Sequence, residues 1–117
     1  MNLELIREYC ISKPYSEESF PFDQQTLVFK VGGKIFALMD VDNPHGLNVK
    51  CNPEKALELR ERYQGILPGY HMNKKHWNTI QLFSDVPDST IYECIDDSYQ
   101  LVLNALPKRI IHEIENR

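Results

Sequence analysis

The chain has 117 residues, 42% of them hydrophobic and 26% charged, a length that fits one domain able to bury roughly 65% of the surface its unfolded form exposes. Thirteen Lys/Arg against seventeen Asp/Glu leave a formal net charge of -4, which argues against a generic polyanion binder, and the longest apolar run, Ile35 to Met39, is far too short to cross a bilayer. Cys10, Cys51 and Cys94 are widely spaced and odd in number, so reduced, partly buried thiols are expected; with no signal-peptide pattern at the start, this places the protein in the cytoplasm.

Leu3, Ile6 and Cys10 stand at helical spacing among charges, which predicts an opening helix over Asn2 to Ile11, ended by Lys13-Pro14. Tyr15 to Asp23 carries aromatic anchors without a regular period and reads as an ordered loop folded over a sheet edge. From Thr26 the period becomes two, with Leu27, Phe29 and Val31 on one face. Gly32-Gly33 then supplies the positive φ angles of a two-residue hairpin, and Lys34 to Asp40 returns as the second strand. A turn across Asp42 to Gly46 leads to a third strand, in which Leu47, Val49 and Cys51 alternate with Asn48 and Lys50.

Asn52-Pro53-Glu54 is a helix start, with a capping amide, a proline whose missing N–H costs nothing and an acid favoured by the helix dipole. That helix runs to Tyr63, and its charges, Arg60 among them, read as a solvated face. Ile66 to Pro68 suits an edge strand and Trp77 to Phe83 another. Asp85 to Ser89 is expected to cap a long helix with Ile91, Ile95, Val102 and Leu106 in its buried stripe, stopped by Pro107. The tail Lys108 to Arg117 repeats the helical pattern through Ile110, Ile111 and Ile114 and has the body or a second subunit to dock on. The order helix, three strands, helix, two strands, helix predicts a single α+β two-layer sandwich, an antiparallel sheet with helices on one face.

Catalytic and metal signatures are absent from the sequence. The four histidines have no partner at ligand spacing, no nucleophile motif occurs, and Asp96 and Asp97 point different ways on a helix. A non-enzymatic protein without metal or cofactor is therefore expected. What stands out is Pro68 to Trp77, which crowds two lysines, two histidines, a tyrosine and the only tryptophan into one loop. Residues 26–83 hold eight basic against five acidic side chains, while the flanks hold five against twelve. Lys74 and Lys75 suit phosphates, His71, Asn73 and His76 can donate to them, and Tyr70 or Trp77 can stack on a base. Lys30 and Lys34 flank the hairpin turn and Lys50 ends the third strand. Trp77 opens a strand, a place that suits a core residue as well as a stacking surface.

Phe20-Pro21-Phe22, Val28 to Val31, Gly33 to Leu38, Gly69 to Trp77 and Ser98 to Val102, in that order and spacing, resemble the MmcQ/YjbR family of small bacterial proteins. The resemblance spans nearly the whole chain as far as Leu106. It implies a two-layer sandwich like that of type III secretion chaperones, also similar to the frataxin-like fold, and a DNA-binding role through a double wing of hairpins. The leading expectation is a module contacting DNA phosphates through the basic loop and hairpin. The second is a chaperone-like or protein-interaction module that docks a partner or makes a homodimer.

Overall fold

The computed structural model describes residues 1–42 and 46–117, so the turn expected across Asn43, Pro44 and His45 lies outside the described residues. The chain runs α1 (Leu3–Ser12), β1 (Ser16–Ser19), β2 (Thr26–Val31), β3 (Lys34–Asp40), β4 (Gly46–Lys50) and α2 (Pro53–Arg62). It continues through β5 (Ile66–Pro68), β6 (Trp77–Gln81), α3 (Asp88–Asn104) and α4 (Lys108–Glu115). All the strands join one antiparallel sheet in the order β1-β2-β3-β4-β6-β5. The protein is the expected α+β two-layer sandwich, with a strand before the hairpin added to the anticipated order and the helical pattern of the tail formed as α4.

Alternation on the strands sets the layers. Leu27, Phe29, Val31, Leu47, Val49 and Ile80 are buried on one face of the sheet, where they meet Ile6 and Cys10 of α1 and Ile91, Ile95 and Val102 of α3. Each fully buried aliphatic or phenylalanine side chain is worth about 1.5–3 kcal/mol over its exposed state, so this face holds the sheet and helices together. All three cysteines are free and buried, and burial pushes the thiols of Cys10 and Cys94 up to about 12.

Local chemistry fixes the helix starts. Asn2 accepts from Leu5 N at 2.9 Å and Asn52 from Glu54 N at 3.0 Å, each satisfying a donor that the first helical turn leaves free. The expected cap on α3 is not made: Pro87 occupies that place without a side-chain bond. Asp85 instead turns back to the α2–β5 connection and accepts from Gln64 N and Gly65 N, both at 2.8 Å, which lowers its pKa below the ordinary carboxylate value. Two free amides in a tight turn outcompete the helix end three residues away.

The expectation of an irregular loop over Tyr15 to Asp23 is corrected in part. Ser16–Ser19 is an outer strand in register with β2, Ser16 opposite Val31 and Ser19 opposite Val28. Ser-Glu-Glu-Ser has no apolar alternation because this strand is held by its backbone ladder and by side chains at its rim. One such bond is the Arg7–Glu18 pair from α1, at 2.5 and 2.8 Å. The tail helix packs on the chain's own body. Ile114 is buried in the common core, and Arg117 Nη1 donates to Glu17 at 2.9 Å.

One hydroxyl mends a gap in the sheet. β3 and β4 stay paired only from Met39–Leu47 to Ala37–Val49, and beyond that point Ser98 of α3 stands between them. Its Oγ accepts from Lys50 N at 2.8 Å and donates to Phe36 O at 2.6 Å, with the side chain fully buried. The neighbouring Tyr99 meets the Phe36 ring edge-on at 5.2 Å and donates to Pro14 O at 2.5 Å. The Gly32-Gly33 turn has φ of 57° and 80°, and the α3–α4 connection presses on it: a Cβ at Gly32 would lie 2.6 Å from Leu106 Cδ1.

Ser98→Ala leaves the Lys50 N–H and Phe36 C=O without partners and is expected to cost about 2–4 kcal/mol in urea unfolding, the range for two buried polar groups made unsatisfied. In the hairpin, Gly32→Ala is expected to cost about 1 kcal/mol more than Gly33→Ala, because only the former adds overpacking to the shared backbone strain. Open space surrounds Gly33. Because the folded pKa of Asp85 is depressed, the stability it contributes is fully present above its unfolded pKa of about 3.9 and is lost as pH falls through the folded value. Asp85→Ala should therefore unfold at lower urea than the parent at pH 7, and the gap should close in strong acid.

Candidate functional site

At the end of the sheet where Ser98 bridges β3 and β4, four strands bring side chains to one cleft of about 490 Å³. Lys30 of β2, Lys34 of β3 and Lys50 of β4 line it together with Trp77 of β6. Ile35, Val102 of α3, and Ala105, Leu106 and Pro107 of the α3–α4 connection form its apolar part. The ladder explains the convergence: Lys30 pairs with Ile35 and Lys50 with Trp77. Lys30, Lys50 and Trp77 alternate with Phe29, Val49 and Asn78, so all three stand on the sheet face turned from the helices.

The electrostatics of the cleft are one-sided. No carboxylate lines it, and none of the three lysines is in an ion pair among the described residues. Glu17 lies opposite Lys30 in the β1–β2 ladder, but its carboxylate is bonded to Arg117. Past Pro107 the chain adds Lys108 and Arg109, both exposed. Three compact ammonium charges beside an indole and an aliphatic wall can take up an anion that carries an apolar body. Among the described residues, no histidine, carboxylate, hydroxyl or thiol lines the cleft.

The loop before Trp77 is built differently from its composition. Lys74 Nζ donates to Gly69 O at 2.9 Å and Asn73 Oδ1 accepts from Lys75 N at 2.9 Å, so both side chains hold the loop's own shape. Gly69 N donates to Trp77 O at 2.8 Å, and a Cβ on Gly69 would fall 2.7 Å from the Trp77 Cβ, so the loop closes at a residue without a side chain. Lys75 is exposed, and its ammonium is in no ion pair among the described residues. His76 is half-buried, its carbonyl accepting from Cys51 N at 2.8 Å. His71, at φ 58°, lies with its ring 4.0 Å from that of Tyr70. It lines a second hollow of about 520 Å³ with Met72, Leu38, Asn48 and Thr79.

The predicted set therefore divides. Lys30, Lys34, Lys50 and Trp77 come together, His71 turns to the second hollow, Asn73 and Lys74 serve the loop, and Lys75 and His76 do not line the cleft. Sequence reasoning missed Arg60. Instead of facing water, its Nε donates to the buried Asn78 Oδ1 at 2.7 Å, and its Nη2 reaches Lys74 O and Trp77 O. Arg60 thus ties α2 to the loop and to the strand that carries Trp77. Its spacing in a charged helix gives no hint of this, whereas a buried asparagine in the next strand is the kind of group that requires such a partner. Lys55 likewise leaves its helix neighbours to bond Asp97 of α3 at 2.5 Å. Among the described residues there is no group of three or more His, Cys, Asp or Glu able to hold a metal ion, and no helix long and apolar enough to cross a membrane.

Comparison with known proteins places this architecture. The chain is 37% identical over 109 residues to the uncharacterised Escherichia coli K12 protein YjbR, covering 92% of each. It is 36% identical over 107 residues to Escherichia coli O157:H7 YbdF, covering 91% of this chain and 88% of that one. The crystal structure of Deinococcus radiodurans protein DR2400 superposes with a TM-score of 0.90 at 40% identity, covering 97% of this chain and 88% of that chain. A Pseudomonas syringae protein superposes at 0.74 with 28% identity, over 87% and 99% of the two chains. The YjbR family model matches residues 11–101, and with these relatives the chain belongs to the YjbR family.

Proposed function

We propose that the protein is a non-enzymatic module that contacts the phosphates of nucleic acid through the cleft rimmed by Lys30, Lys34 and Lys50, with Trp77 at its wall. The observation that carries this reading is the convergence of three unpaired lysines, from three strands, on one concavity without a carboxylate. Phosphate contact draws on local positive charge, whereas the net charge of -4 is that of the whole chain, and physiological salt screens exposed charges over roughly 8 Å. The net charge does hold non-specific affinity down. Lys75, exposed beside the cleft-lining strand, extends the same field, whereas Lys74 is engaged with Gly69 O and contributes less. No sequence preference is part of the reading, since phosphate contacts position a protein without reading bases.

Fluorescence anisotropy of labelled DNA at low and moderate salt tests it. Binding should weaken as salt rises, with a slope of about three to four released counterions. Lys30→Glu/Lys50→Glu should abolish it, while Lys74→Gln should leave most of it. Salt-insensitive binding, or binding that survives loss of Lys30 and Lys50, would sink the reading.

A further inference from the structure

The cleft has two chemical zones, and lysines account for only one of them. The same cleft is lined by Trp77, Ile35, Val102 and Leu106, an apolar surface that a phosphate cannot use. Duplex DNA offers phosphates on a convex rod and keeps its bases stacked inside, so against duplex the recess would stay empty. A ligand that fills both zones carries an anionic group joined to a flat apolar one. We infer that the cleft takes single-stranded nucleic acid, with one unstacked base against Trp77 and the flanking phosphates on Lys30, Lys34 and Lys50. This rests on the phosphate-contact reading above and narrows its ligand.

Four features of the site support the narrower class. Trp77 and Lys50 are direct cross-strand partners, with Cβ atoms about 5 Å apart, so a base on the indole leaves its own phosphate beside the Lys50 ammonium. Lys30 stands two strands away from Lys50, since β3 separates β2 from β4, and the parting of β3 and β4 past Ala37–Val49 widens that span beyond the roughly 10 Å of regular strand spacing. Lysine side chains turn that span into a track for successive phosphates of an extended strand. The backbone under Trp77 is fixed before any ligand arrives, because its carbonyl accepts from Gly69 N and Arg60 Nη2 and its N–H donates to Asn73 O. A stacking platform held in place spends little of the binding free energy on ordering. The cleft volume of about 490 Å³ also lies within the range of sites that enclose small organic groups, about 300–1,000 Å³.

Trp77 is the only tryptophan, so emission excited at wavelengths too long for the six tyrosines to absorb reports on this site alone. The experiment titrates the protein with an oligothymidylate, with a duplex carrying the same number of phosphates, and with inorganic tripolyphosphate, following both tryptophan emission and anisotropy. The oligothymidylate is expected to bind about tenfold tighter than the duplex, the scale of one base–aromatic stack, and to quench the emission. Tripolyphosphate should compete without quenching comparably. Trp77→Leu should lose about tenfold in oligothymidylate affinity by anisotropy, and Trp77→Phe should keep most of it, with cooperative urea unfolding checked for both. Lys50→Gln keeps the test open should the leucine variant not fold: it should weaken binding and leave the quenching at saturation intact. Equal affinity for the two DNA forms with unchanged emission would overturn the inference and leave the phosphate reading standing. Failure of every polyanion to bind would overturn both.

Discussion

The shape of this protein depends on one serine hydroxyl in a place where a sheet would otherwise lose its ladder. β3 and β4 part after Ala37–Val49, and Ser98 takes both roles of the missing strand partner, acceptor for Lys50 N and donor to Phe36 O. An apolar side chain there would leave two backbone groups buried without partners, and a longer polar one would push α3 off the sheet. Because the bridge comes from a helix, it also sets where α3 crosses the strands. Tyr99, the next residue, continues the tie to Pro14 behind α1. The sheet, the long helix and the first helix are thereby indexed to one another within two residues.

The cleft is a by-product of that divergence. Where β3 and β4 separate, their ends no longer close over the last turns of α3, and the side chains of Lys30, Lys50 and Trp77 stand around the gap. A continuous six-stranded ladder would have brought β3 and β4 together and filled the recess. The Arg60 guanidinium performs a comparable service for β6, replacing main-chain partners of the loop with a side chain from α2. Two side-chain insertions into backbone hydrogen bonding thus frame the site on either side.

Much of the fold was legible because local chemistry and burial agree along most of the chain. The Gly32-Gly33 hairpin, the Asn52-Pro53 helix start, the Ile66 to Pro68 edge strand and the buried stripe of α3 all carry signals that tertiary structure leaves intact. β1 was hidden because Ser16 to Ser19 is polar throughout, and an outer strand with little to bury has no period to read. The basic loop misled for a related reason. Composition counts lysines and asparagines without saying which are consumed in holding the loop, and Lys74 and Asn73 are. The meeting of Lys30, Lys34 and Lys50 with Trp77 depends on strand register and on β6 inserting between β4 and β5, which no spacing in the sequence encodes. Each of those four residues was a candidate, but their common destination was not.

The two borders of the sheet bear on how copies of this chain meet one another. One border is β1, with Glu17 and Glu18 among serines, and the other is β5, three residues ending in Pro68. Arg7 and Arg117 hold the carboxylates of Glu18 and Glu17 over the first border, so charged side chains from α1 and the tail cover it, and a short strand ended by proline offers too few free N–H groups to zip up a neighbour. Both borders thus carry residue choices that disfavour growth of the sheet by edge pairing from molecule to molecule.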